Sequence, residues 1–217
     1  DWLEKLVQPF GNKSVTAAGG KIIPQWLDGT RPGWFPEELD WIIGCTYAGL
    51  PQHGNLVRNL IGCNMAFRAG VFASVGLFNT AVGRTSKTQG IGEDSEICLR
   101  IARNLPGKLI VYEPGAVVRH NVPSSRVKLG YLLRRSYDEG YHKSTVQSLS
   151  LGSSGSLSTE NTYLRYLFLT SIPRRLSRIY RWQEFLQIGA ISLCVAAVGM
   201  GYARGRTKHW FRPAPNP

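Results

Sequence analysis

A chain of 217 residues that is 43% hydrophobic and 11% aromatic has room for one ordinary domain with appendages and enough apolar mass for a core, which excludes wholesale disorder. The formal net charge of +12 is unevenly spread: residues 1–118 hold 11 Lys/Arg against 10 Asp/Glu, a net of +1, and residues 119–217 hold 15 against 4, a net of +11. The basic excess sits beside an apolar run and no recognised nucleic-acid-binding motif accompanies it, so lipid head groups or a phosphorylated substrate are the expected anionic partners and nucleic acid is not.

In chain order, residues 2–10 predict a helix end with Leu3, Leu6, Val7 and Phe10 on one face and Pro9 near its stop. Val15 to Ile23 predicts a strand, and the Trp-, Pro- and Gly-rich stretch from Gln25 to His53 predicts a long ordered loop with a short helix near Pro36–Leu39. Ile61 to Phe67 predicts a second strand, and Gly70 to Val75 a short helix ending at Gly76. After Gly92, the four-residue spacing of Ile97, Ile101 and Leu105 predicts a helix with Glu93, Asp94 and Glu96 in its first turn, where the helix dipole favours negative charge. Pro106-Gly107 should end it, and two short strands, Leu109–Tyr112 and Ala116–Arg119, should follow.

The chain divides on this reading into residues 1–122, compact α/β; 123–162, a basic helix dissolving into a Ser/Gly-rich linker at Leu149–Ser158; and 163–217, a membrane-associated helical tail. Phe185 to Ala203 is 19 residues without a charge, about the ~20 that cross a bilayer as a helix. Arginines flank it on both sides, which leaves its orientation open, and a surface-lying hairpin or amphipathic helix, or a soluble core helix, fits the same residues. Cys45, Cys63, Cys98 and Cys194 lie far apart with no C-x-x-C pair, so free apolar thiols are expected instead of a zinc site or a disulfide framework.

Glycine before paired carboxylates at a helix start is compatible with simple N-capping. The order of three blocks points further: N-L-I-G-C-N-M-A-F-R at 59–68, G-E-D-S-E-I-C-L-R-I-A-R at 92–103, and L-I-V-Y-E-P-G-A-V-V-R-H at 109–120. Together they resemble the C-terminal half of family 2 glycosyltransferases with the nucleotide-diphospho-sugar transferase (Rossmann-like) fold, over residues 1 to about 145. More loosely, the aromatic run at 34–50 is similar to prokaryotic members acting on lipid-linked acceptors.

The resemblance implies that Asp94 is the general base that takes the acceptor hydroxyl proton, with Glu93 as its companion. It implies that Gly62 and Asn64 lie beneath the donor sugar. It also implies that His120 assists at a divalent metal, Mg²⁺ or Mn²⁺, and that transfer from a nucleotide sugar proceeds with inversion. Arg134 and Arg135, with Arg119, are candidates for a lipid or leaving-group phosphate. Trp26, Trp34, Phe35, Trp41 and Tyr47 are candidates for an acceptor platform, with ordinary core packing expected for at least half of them. The implied location is the cell membrane, catalytic part on the cytoplasmic side. The family's D-x-D metal motif does not occur in the sequence. The chain is therefore expected to be the acceptor-side half of such an enzyme, weak at binding a nucleotide sugar by itself. The rival expectation is a non-catalytic, membrane-anchored remnant.

Overall fold

The computed structural model describes residues 1–50, 52, 55–79, 92–149 and 158–210. Helix α1 (Trp2–Val7) passes through a 3₁₀ turn into strand β1 (Val15–Trp26), which is the centre of a three-stranded mixed sheet. Strand β2 (Met65–Phe67) pairs antiparallel with one edge of β1, and β3 (Leu109–Val122) pairs parallel with the other. Between them lie α2 (Ala69–Val75), ended by Gly76, and α3 (Glu93–Asn104). Helices α4 (Leu129–Leu149), α5 (Ser158–Tyr166), α6 (Ile172–Leu176) and α7 (Trp182–Trp210) complete the chain, with a π-helical turn at Leu167–Ser171. The expected mixed α/β sheet and C-terminal apolar helix are both present.

Three local expectations change. Of the apolar residues on α1 only Leu6 is buried, while Leu3 and Val7 stay exposed. The strand expected over Ile61–Phe67 shrinks to Met65–Phe67, because the Asn64 amide bonds back to the Ile61 carbonyl at 3.2 Å and closes a turn over Gly62 and Cys63. The two strands expected at 109–112 and 116–119 form one. Its register against β1 jumps from Gly20↔Glu113 to Lys21↔Val117, so Pro114, Gly115 and Ala116 bulge out without ending the strand. Asn64 closes the bulge: its Nδ2 donates to the Lys21 carbonyl at 3.1 Å and the Ala116 carbonyl at 2.8 Å. A side chain at Gly20 would strike the Ala116 carbonyl oxygen at 2.0 Å, so the crossing requires glycine there.

Each face of the sheet carries its own core. On one, Ala17 and Ile110 meet Val71 and Val75 of α2 and Ile97, Cys98 and Ile101 of α3, the apolar stripe read from the helix period. On the other, Ile22 and Val122 meet Phe35, Leu39, Ile42 and Ile43 of the long loop, Leu132 of α4, and Ala190, Ile191 and Cys194 of α7. The C-terminal helix thus shares a core with the sheet. The short helix expected near Pro36–Leu39 is a 3₁₀ helix, Glu37–Ile43. Its Glu38, 1% exposed, receives two bonds of 2.8 Å from the guanidinium of Arg175 and one of 2.7 Å from the Ser171 hydroxyl. This clasp ties α6 and the start of α7 to the loop. All four cysteines are free; Cys45, Cys98 and Cys194 are buried. Most of the expected Ser/Gly linker, residues 150–157, lies outside the described residues.

Trp182–Thr207 is, among the described residues, the one helical stretch long and apolar enough to cross a membrane by length and composition, and most of its residues are not buried.

Candidate functional site

Helix α3 starts where its sequence says it should. Gly92 caps it in the left-handed conformation, φ 99°, and a side chain there would meet the His142 ring at 2.1 Å. Both constraints select glycine. The turn that shortens β2 then aims the Gly62 N–H at the carboxylate that follows: Asp94 Oδ2 accepts it at 3.1 Å, and Oδ1 accepts the Ser95 amide at 2.7 Å. Burial pushes the Asp94 carboxyl above the ordinary carboxylate range. The two amide donors work against that shift, while the nearby negative charges of Glu139 and Glu93 add to it. A carboxylate so placed is oriented by two fixed donors and is a stronger base than a free aspartate.

Glu93 and Asp94 line a cavity of about 570 Å³. Its apolar lining comes from Leu39 and Trp41 of the 3₁₀ helix, Leu164 of α5, and Val195 and Val198 of α7. The lining also carries a chain of alternating charges. Arg135 meets Glu139 at 3.0 Å, Glu139 meets Lys143 at 3.1 Å, Lys143 meets Glu160 at 2.6 Å, and Glu160 meets Arg58 in a bidentate pair at 2.7 and 2.8 Å. Burial alone would raise Glu139, but Lys143 and Arg135 outweigh it and hold its carboxyl low. Glu160 is likewise held low against burial by Lys143 and Arg58. With Glu93 and Asp94 on the same cavity, its charged lining is three cations, Arg58, Arg135 and Lys143, against four carboxylates. Charged donors and an apolar lining therefore share one cavity, a composition that suits a substrate with a polar head and an apolar remainder.

The sequence-derived candidates are not all brought together. Asp94, Glu93 and Arg135 line the cavity. Gly62 reaches it through the hydrogen bond to Asp94. Arg134, one residue away on α4, points outward with its side chain 78% exposed. Asn64 is 2% exposed and its amide is spent on the bulge and on the Trp2 indole N–H, which it accepts at 3.1 Å. His120 lies on β3 with Nε2 3.0 Å from the Arg126 guanidinium, and burial and that cation lower its pKa. Among the described residues no group of three or more His, Cys, Asp or Glu converges on a point where a metal could sit. The neighbour of His120 in this structure is thus a guanidinium.

Of the aromatic candidates, Trp41 and Tyr47 line the cavity, whereas Phe35 is fully buried with Trp26 and Trp34 edge-on to it. Arg58, Glu139, Lys143 and Glu160 were not anticipated. Glu139 and Lys143 carry a readable signal in their i,i+4 spacing, but Arg58 and Glu160 are 102 residues apart and carry none.

No protein-family model matches the chain, and no solved structure matches it significantly. A curated protein does: over 209 residues, 94% of this chain, it is 32% identical to the glucosyl-dolichyl phosphate glucuronosyltransferase of Haloferax volcanii, and the chain spans 65% of that relative's length.

Proposed function

We propose that this chain forms the acceptor side of a membrane-associated, inverting glycosyltransferase of the family 2 type, with its three strands part of a nucleotide-diphospho-sugar transferase fold. The observation that carries the reading is the placement of Asp94: a half-buried carboxylate, held by two backbone donors, on a cavity whose lining is partly apolar and partly charged. That geometry suits an acceptor with a polar, anionic head and an apolar tail, and the similarity to a protein that glycosylates a dolichyl phosphate sugar supports the same class. The donor is a nucleotide sugar. The sequence holds no D-x-D, and our reading gives this chain the acceptor and the base, working at the cytoplasmic face of the cell membrane.

In the reaction, Asp94 accepts the proton of the acceptor hydroxyl as that oxygen attacks the anomeric carbon. The new C–O bond forms on the face opposite the breaking bond to the nucleoside diphosphate, which departs with the bonding pair. One displacement gives one inversion. Glu93 orients the acceptor beside the base, and the cationic donors of the Arg135–Arg58 chain hold the acceptor's phosphate. The test is sugar transfer by the protein in its full gene-encoded length, from a panel of nucleotide sugars to glucosyl-polyprenyl phosphate, with the anomeric configuration of the product read by NMR. Retention of configuration, or no transfer with any donor, contradicts the proposal; the latter favours a non-catalytic, membrane-anchored protein.

A further inference from the structure

Length and composition allow α7 to cross a bilayer; its partner helix argues otherwise. Helices α4 and α7 run parallel. Ser136 lies beside Cys194, Gly140 beside Val198 and Tyr202, and Ser144 beside Gly205. The backbones touch: a side chain at Gly140 would fall 1.9 Å from the Val198 carbonyl oxygen, and one at Gly201 2.0 Å from that of Tyr137. Any depth α7 reaches in a membrane, α4 therefore reaches beside it.

Helix α4 is unsuited to hydrocarbon. Arg134 and Asp138 point outward with side chains 78% and 43% exposed, separated by 4.0 Å. By the pairing above they lie level with the stretch around Cys194, the middle of the uncharged run. A spanning α7 would hold both in the bilayer centre, where ionised side chains are strongly disfavoured.

The exposed surface suggests a different arrangement. Half of the exposed large hydrophobic residues, nine of 18 among the described residues, fall between Phe168 and Met200. The turn from α6 into α7 is exposed from Leu176 through Gln183 and interleaves Ile179, Tyr180 and Trp182 with Arg178 and Arg181. Along α7 the outward face continues through Phe185, Leu193, Ala196 and Met200 without a charge, and Arg204 and Arg206 close its far end. An apolar face rimmed by arginines along one side of a helix is the pattern of an element lying in a head-group layer.

We propose that α7 and the turn before it lie in the plane of an anionic lipid surface, outer face down, and that α7 does not cross the membrane. The proposal takes up the membrane association proposed above, but its test is independent of sugar transfer. An epitope is placed after Pro217 and the full chain is reconstituted from detergent into sealed vesicles of phosphatidylcholine with phosphatidylglycerol. External protease then distinguishes the two topologies. With α7 in the plane, both ends of a molecule share one side, so the molecules facing the lumen survive at full length. With α7 spanning, every molecule is cut, and the protected fragment begins near Trp182 in one orientation and ends near Thr207 in the other; that result overturns the proposal. In flotation, Arg178→Glu with Arg181→Glu should weaken binding to the anionic vesicles at least roughly tenfold, since each basic residue contributes to attraction at an anionic surface, and pure phosphatidylcholine should bind less. A wild-type chain that floats with neither vesicle, or a soluble dimer covering the same face, also overturns it.

Discussion

Replacing Arg175 by Met would remove the guanidinium from the clasp that holds the helical part to the sheet. Arg175 is 5% exposed and supplies two bonds to Glu38, one to Ser171 at 2.7 Å and one to Gln187 at 3.0 Å. Without it, Glu38 keeps the Ser171 hydroxyl and a distant Arg174 at 3.5 Å. A buried carboxylate stripped of its main partner costs about 3–5 kcal/mol, a large share of the ~5–15 kcal/mol typical of a folded domain. The measure is urea denaturation followed by tryptophan fluorescence in a non-ionic detergent, with an unchanged slope to license the comparison. The double variant Glu38→Leu, Arg175→Met removes the buried pair together, leaving the half-buried Glu184 without its 3.6 Å contact to Arg175, and should recover most of the loss. If the single change costs less than about 1 kcal/mol, or the double change costs the sum of the singles, the clasp is not what fixes α6 and α7.

Other consequences are equally direct. Gly92→Ala forces a positive φ on a side chain that would meet His142, so it should lower stability by at least about 1 kcal/mol, read in the same denaturation experiment. The rate of transfer should rise with pH through an apparent pKa above that of an ordinary aspartate, because burial raises Asp94. Glu93→Gln removes a neighbouring negative charge and should move that limb to lower pH; an unmoved limb would show that the rate is not reporting Asp94. Glu139 and Glu160 are held low in the folded protein, so their contribution to stability is fully present above the ordinary glutamate pKa and is lost as pH falls through their folded values. Lys143→Met should flatten that acid limb of the stability profile.

The part of the site that was legible in the sequence is the part made by local rules. Gly92, the paired carboxylates and the Ile97–Ile101 stripe are neighbours on one helix, so period and capping locate Asp94 at its start. The Gly62 donor was legible only as a place in a motif, since the turn that aims it depends on Asn64 bonding back to Ile61. Pro114-Gly115 read as a break because those residues usually interrupt a strand; here Gly20 and Asn64, from two other segments, make room for the bulge and tie it down. The charged wall needed α4, α5 and the segment before β2 in contact, which no periodicity encodes. Helix α4 itself looks like a solvated basic helix, and its partnership with α7 rests on small residues, Gly140, Gly201 and Gly205, whose significance emerges only when the two backbones meet.

The account stands on Asp94 as the group that takes the acceptor proton. Asp94→Asn preserves the shape and the amide contacts on one oxygen while abolishing basicity, so turnover in the full-length protein should fall about 10²–10⁴-fold. Binding of the nucleotide-sugar donor, measured separately by calorimetry, should be nearly unchanged. If Asp94→Asn turns over at near the parent rate while Glu93→Gln is dead, the base is the other carboxylate; if neither substitution matters, the pair is a helix cap and the proposed chemistry is contradicted.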